Sequence, residues 1–337
     1  MSLARPLWRA HGALAALALI AACGGGSDGL TTPSGPGQLV LVTSLPALDV
    51  ARDGRYEAWA IDAAGSFHSL GRFTAGGTIT VASPVAGVVG VAVTLEPPAD
   101  ADALPSEQVL LRGTLLGNRV ELRYEGAITQ NDLPLRDAPG QFTMFSPSDN
   151  DSLGYPSNEE SGVWLFNMAP GQTAQKDYYD RATQLQRGWT YEGWMVRDLG
   201  QASSIWLSYG KFLPDWTGAL NQPDDTGWGP FSGVVDFQRA RLEDFPGDDW
   251  ISNPLHLPWR PELTLPLNLR EKNAQGQLRW THVITIEPAT DRGEAITTER
   301  PFFLRPYVDP FGDLAPGVAR TITFHTETLP HGTVTLQ

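Results

Sequence analysis

The sequence predicts an all-β fold: two tandem Ig-like antiparallel β-sandwich domains, the second carrying a long loop-rich insertion. Three observations predict it. The 337 residues include 35 Gly and 27 Pro, while Val, Ile, Thr and aromatic residues are plentiful and long helix-forming runs are scarce, a balance that favours short strands between turns. Apolar residues alternate at period two, as at Val120, Leu122 and Tyr124 and again at Ile322 and Phe324, which turns one face of each strand toward a core and makes these the expected last strands of the two units. Four sequence blocks also recur in the same order, so one building unit is expected twice. The length of 337 residues, 41% of them apolar, suits two domains that each bury a core without disulfides.

In chain order, Arg5 and Arg9 precede an apolar run, Ala13 to Ala22, that ends in small residues before Cys23. Residues 1–22 are therefore expected to be a signal peptide, because a spanning helix needs about 20 apolar residues and this run has about half that. The string Leu19-Ile20-Ala21-Ala22-Cys23 resembles a bacterial lipoprotein signal, which implies lipidation of Cys23. The sequence has one Cys, so intrachain disulfides are excluded, and two or more acyl chains would anchor the protein stably where one would not. Gly24, not Asp, follows the Cys, and the resemblance then implies the outer membrane, with the protein facing the periplasm or the cell surface. Residues 23–37 form the lipidated Cys and a Gly/Ser/Pro-rich linker with a flexible-coil reach of about 20 Å.

The formal charge of −14, from 24 Lys plus Arg against 38 Asp plus Glu, argues against nucleic acid as a partner, since little basic surface is available to displace phosphate counterions. The same surface favours solubility and discourages adsorption to anionic head groups.

The first unit is expected over residues 38–127, a linker over 128–140, and the second unit over 141–337 with its insertion at about 213–280. The blocks that define the repeat are Tyr56-Glu57-Ala58-Trp59-Ala60-Ile61 with Tyr191-Glu192-Gly193-Trp194-Met195-Val196, Ser69 to Phe73 with Ser208 to Phe212, Val93 to Pro97 with Ile284 to Pro288, and Leu111-Arg112 with Leu304-Arg305. Within the first block Glu57, Trp59 and Ile61 share a strand face, and Trp59 and Trp194 read as core.

Those residues resemble the extracytoplasmic C-terminal domain of anti-sigma-K factors, a small β-sandwich. The likeness rests on Tyr56 to Asp62, Ser69 to Phe73, Val93-Thr94-Leu95-Glu96-Pro97-Pro98-Ala99-Asp100, Pro105-Ser106 and Val109-Leu110-Leu111. It covers about 38–125 and, more loosely, 141–337. It implies a sensor-like or scaffold fold outside the cytoplasm. Sigma-factor inhibition is not implied, because Cys23 stands where that family has a cytosolic helical domain and a membrane helix.

Candidate chemistry is sparse. Glu96-Pro97 and Glu287-Pro288 invite pairing as glycosidase carboxylates, yet each ends a strand before a Pro, and their recurrence reads as architecture, with Glu accepting backbone amide protons at a turn. No nucleophile elbow, zinc helix pair, phosphate loop or dinucleotide fingerprint occurs, and the six His show no ligand spacing. No cofactor, metal or catalytic residue is therefore expected. The insertion places paired acids beside Trp in Gly/Pro loops: Asp224, Asp225 and Trp228, then Asp248, Asp249 and Trp250. These are the candidate ligand-binding residues, for a glycan or for calcium; the alternative is an ordered loop whose Trp rings pack down while the acids cap turns. Asp149 to Glu160 echoes a calcium loop without its flanking helices, and Gln172 to Arg187 reads as one short helix or a polar loop. The resulting expectation is a non-enzymatic, lipid-anchored envelope protein that binds or scaffolds an envelope protein or polysaccharide. Its alternative is a glycan-binding lipoprotein or a glycosidase that uses the insertion.

Overall fold

The computed structural model of the protein describes residues 37–100, 102–137, 139–146, 159–166, 182–213, 247–251, 260–289, 300–313 and 315–337. Cys23, the Asp149 end of the calcium-like loop, Gln172, and Asp224, Asp225 and Trp228 lie outside them. The described residues hold strands β1 (Gln38–Thr43), β2 (Arg55–Ile61), β3 (Phe67–Phe73), β4 (Gly77–Ala82), β5 (Gly90–Glu96), β6 (Val109–Leu116), β7 (Arg119–Leu122) and β8 (Gln141–Met144). There follow β9 (Gly162–Phe166), β10 (Trp189–Arg197), β11 (Ile205–Phe212), β12 (Gly247–Asp249), β13 (Trp280–Pro288), β14 (Leu304–Pro310), β15 (Arg320–Thr321) and β16 (Gly332–Leu336). No α-helix occurs among them, so the all-β reading holds.

The largest sheet runs β3-β2-β5-β6-β7-β16-β1-β4 and is antiparallel throughout. Its two edge strands, β3 and β4, are separated in sequence by only residues 74–76. So short a connection reaches little more than 10 Å, so the edges must lie close and the sheet curls until it nearly closes. The segment at 44–48 ties that seam, since Gly76 donates to the Leu45 carbonyl and Leu48 to that of Thr74, both at 2.9 Å. Turns follow local chemistry. Asp62 accepts the amides of Ala64 and Ser66 at 2.9 Å to turn β2 into β3, and the two-residue Gly117-Asn118 connection uses φ +63 at Gly117 to join β6 and β7.

The described residues also form two four-stranded antiparallel sheets, β11-β10-β13-β14 and β12-β9-β8-β15. They meet where Phe142 of β8 packs on His282 of β13, ring centroids 4.3 Å apart, and on Phe311 at 5.2 Å.

The fold departs from the sequence reading at its last strand. The C-terminal strand is β16, not the stretch at Ile322 and Phe324, and it pairs with β1 from Leu39↔Leu336 to Thr43↔Gly332 and with β7 from Gly332↔Leu122 to Thr335↔Arg119. A strand from the far end of the chain thus completes the sheet of the first half, and a single core cluster runs from Leu39 through Trp164 and Ile284 to Val334. Residues 33–337 cluster as one unit. Residues 182–187 form turns and an isolated bridge between Leu185 and Thr129, in keeping with the polar-loop alternative for that end of the segment. Described parts of the insertion pack down: Leu263, Leu267 and Leu269 are buried, with the Leu267 amide on the Trp250 carbonyl and the Leu269 amide on that of Glu160.

The repeated blocks occupy equivalent places. In β2 and β3, Tyr56 faces Phe73, Glu57 faces Arg72, Ala58 faces Gly71, and after a bulge Trp59 faces Ser69; in β10 and β11, Tyr191, Glu192, Gly193 and Trp194 face Phe212, Lys211, Gly210 and Ser208, with the bulge at the same step. The bulge turns on Gly71 and Gly210, at φ +118 and +111, where a side chain would be strained. The next strands, β5 and β13, pair in the same register with β2 and β10. The fourth block slips. Val93 faces Leu111, whereas its counterpart Ile284 faces Tyr307, so Leu111 corresponds to Tyr307, three positions beyond the sequence match at Leu304.

Candidate functional site

Both repeats bury a polar network on the face of the sheet opposite the main core. Tyr56, Ala58, Val91 and Val93 belong to that core, whereas Trp59 does not. The Trp59 indole donates to Thr94 Oγ1 at 2.8 Å, the Thr94 hydroxyl donates to Glu96, and Glu96 Oε1 also accepts the Ser106 amide at 3.1 Å. The second copy repeats this: Trp194 to Thr285 at 2.9 Å, Thr285 to Glu287 at 2.6 Å, and the Phe302 amide to Glu287 at 2.7 Å. A second carboxylate per copy is held alike, Ser69 donating to Glu57 at 2.6 Å and Ser208 to Glu192 at 2.7 Å. Arg72 then pairs Glu57 at 2.7 Å and reaches Asp100.

This arrangement is structural. Burial pushes the Glu96 carboxyl up, opposed by its hydrogen bonds from Thr94 and Ser106, and all four carboxylates are buried. The reading of Glu96 and Glu287 as acceptors of backbone amides is borne out, as is that of Trp59 and Trp194 as buried rings.

Of the insertion candidates, Asp248, Asp249 and Trp250 are described, and they form no exposed binding loop. They sit on and just after β12, which pairs with β9 through Asp248↔Val163 and Asp249↔Gly162, with exposures of 1%, 3% and 0%. A ring stacks on sugar, and a carboxylate meets a sugar hydroxyl, only from an accessible face. These three residues match the packed-loop alternative, and the other insertion candidates, Asp224, Asp225 and Trp228, lie outside the described residues. Among the described residues no three His, Cys, Asp or Glu side chains gather as a metal site.

The structure shows instead a feature that the sequence did not reveal, a cleft of about 580 Å³ lined by Arg52, Arg260, Arg300 and Arg305. It lies where the loop before β2 meets the β10–β11 turn and the run into β14. The first wall is Pro46 to Leu48 with Arg52 and Asp53, and the opposite one is Gly200 to Ala202, Ser204, Trp206 and Pro301 to Phe303. Each wall is fastened to a repeat. Tyr56 donates its hydroxyl to the Pro46 carbonyl at 3.1 Å, and the Phe302 amide is the one held by Glu287.

The four arginines differ. Arg52 pairs with Asp53 at 2.8 Å. Arg305 lies over the Trp206 ring, its guanidinium carbon 4.7 Å from the centroid, a geometry that fixes the side chain by cation–π attraction. The Nε atoms of Arg260 and Arg305 are buried without a hydrogen-bond partner. Burial lowers the pKa of both; the charge of Arg300 adds to this at Arg260 and Glu262 opposes it, while Glu287 opposes it at Arg305. In a chain of net charge −14 the cleft is a local concentration of cations, and what it can do chemically is receive an anion.

Comparison with known proteins decides what part of the chain is familiar. Residues 4–109 match the family model described as anti-sigma-K factor rskA, C-terminal. The match takes in about a third of the chain, and its described part is β1 to β5 with the first residue of β6, so the anti-sigma-K likeness seen at Tyr56 to Val109 stands. The second repeat lies outside the matched span. No curated protein and no solved structure matches the chain.

Proposed function

We propose that this chain is a non-enzymatic protein of the bacterial cell envelope, held to the outer membrane by a lipid on Cys23, that docks an acidic envelope partner in the arginine cleft. The observation that carries the reading is the cleft itself: four guanidinium groups line one hollow of a strongly acidic protein. The anti-sigma-K factor match supports it, because such domains are regulatory modules that work by contacting other proteins and are not enzymes. The anchor rests on the apolar run Ala13 to Ala22 and the Cys that follows. Complementary charge would speed encounter and select an acidic partner over others.

The test is site-specific photo-crosslinking in intact cells from Gln201, an exposed residue at the cleft. A discrete adduct is expected with the wild-type protein and none when Arg260→Glu is introduced. An adduct that persists in that variant, or none in either, would end the docking reading. For the anchor, Cys23→Ala is expected to move the protein from the membrane to the soluble fraction.

A further inference from the structure

We infer that the arginine cleft is a binding site for a phosphate ester, with the phosphoryl group set among Arg260, Arg300 and Arg305 and the organic part against the apolar wall at Pro301 and Phe303. The inference rests on reading the cleft as the docking site and names the chemistry that it takes.

Three features of the cleft point to a phosphoryl group. First, the Nε donors of Arg260 and Arg305 are buried and unmatched. Such donors are costly to leave unpaired, and an anion in the hollow would offset the cost of these desolvated guanidinium groups through its charge. Second, Arg260 and Arg300 are close enough for one to depress the other's protonation. A phosphate monoester carries close to two negative charges at neutral pH, with three acceptor oxygens, and so suits neighbouring guanidinium groups. Third, Arg305 already gives one face to Trp206, which leaves its N–H edge to donate in the plane. That is the use of guanidinium best suited to phosphate, and a lysine could not reproduce it.

Size and surroundings narrow the ligand. About 580 Å³ is far more than one phosphoryl group fills and is typical of a small-molecule site, so an organic moiety accompanies it, and Pro301, Phe303 and Leu48 offer it apolar surface. A long polyanion is disfavoured, because beyond the cleft it would run along a surface of the same sign. The ester could be a soluble sugar phosphate or the head group of a phospholipid, since both present the same chemistry.

The experiment uses the full-length protein in neutral detergent, with inorganic phosphate and glucose 1-phosphate as soluble probes. Vesicles of phosphatidylcholine, with or without phosphatidic acid, form the lipid arm. Thermal unfolding and calorimetric titration are the readouts, at constant ionic strength. Saturable stabilisation by a phosphate-bearing probe is expected, as for any ligand that binds the native state alone. Affinity should fall about 10-fold or more in Arg305→Met, where one charge-assisted contact is lost. Arg300→Gln alters an exposed residue, so its folding is not at issue, and it should weaken binding in the same direction. Preference for glucose 1-phosphate identifies a soluble ester, and preference for phosphatidic acid vesicles a lipid head group.

The inference is overturned if no phosphate-bearing probe stabilises the protein, or if both variants respond as the wild type does. If acetate binds in an arginine-dependent way and phosphate does not, the phosphate assignment falls while the docking role of the cleft survives. Loss of the Gln201 adduct together with intact phosphate binding would separate the two in the other direction.

Discussion

An alanine at position 193 would put its Cβ 1.7 Å from Cζ of Tyr209, and the first repeat shows why the chain tolerates so tight a fit. The residues equivalent to Gly193, Tyr209 and His282 are Ala58, Leu70 and Val91. Where the second repeat gives up a methyl group, it gains a ring whose hydroxyl bonds His282 Nε2 at 2.8 Å. Gly193→Ala is expected to cost about 2–3 kcal/mol through overpacking and loss of that bond. The triple change Gly193→Ala, Tyr209→Leu and His282→Val, which transplants the first repeat's trio, should recover most of it in urea denaturation. His282 also carries a pH signature. Burial lowers its pKa to about 3, against about 6.5 in an unfolded chain. The unfolded state therefore takes the proton first as pH falls, and this contribution to stability is full above about 6.5 and is lost progressively toward pH 3. The stability gap between wild type and His282→Gln should shift by about 1.4 kcal/mol per pH unit across that window. The raised carboxyls of Glu96 and Asp309 act in the opposite sense and cancel in the difference. None of this was legible in the sequence, where the six His show only an absence of ligand spacing; His282 packs against Phe142, which arrives from another sheet.

At the scale of strands, the network from Trp through Thr to Glu explains why the repeated blocks keep polar residues on buried strands. Thr285→Val would remove the acceptor of the Trp194 indole N–H and one of the donors to Glu287, at an expected cost of about 2–4 kcal/mol. Thr285→Ser should cost less than about 1 kcal/mol because it keeps the hydroxyl. Thr94→Val should behave in the same way in the first repeat, and the two losses should add, since the networks share no partner. This much was readable in outline: period two placed Trp59 and Glu57 on one face, and recurrence marked Glu96 and Glu287 as architecture. The fourth block misled, because both copies carry the same one-residue irregularity between their last two paired strands, so Leu304-Arg305 resembles Leu111-Arg112 in sequence alone while Tyr307 is the equivalent of Leu111 in space. The cleft was invisible for another reason, since Arg52, Arg260, Arg300 and Arg305 come from distant stretches and no local pattern joins them.

For the molecule as a whole, β16 decides what can fold alone. Two independent sandwiches would let residues 38–127 fold as a fragment. Because β1 and β7 each pair with β16 and not with each other, that fragment carries two open edges across a gap in its sheet. It is expected to show no cooperative unfolding transition by circular dichroism, and deletion of 332–337 from the full chain should abolish the native near-ultraviolet signal. The fold class was legible from Gly, Pro and strand periodicity; the exchange of a strand between halves was not, because Thr333-Val334-Thr335-Leu336 alternates like any strand and carries no label for its partner. The bond between Ser44 and His331 spans 287 positions. At a synthesis rate of about 5–20 residues per second, β1 waits roughly 15–60 s for its neighbour to be made. From the completion of β7 until the last strand arrives, the nascent chain exposes two unpaired strand edges, the kind of surface on which foreign strands add.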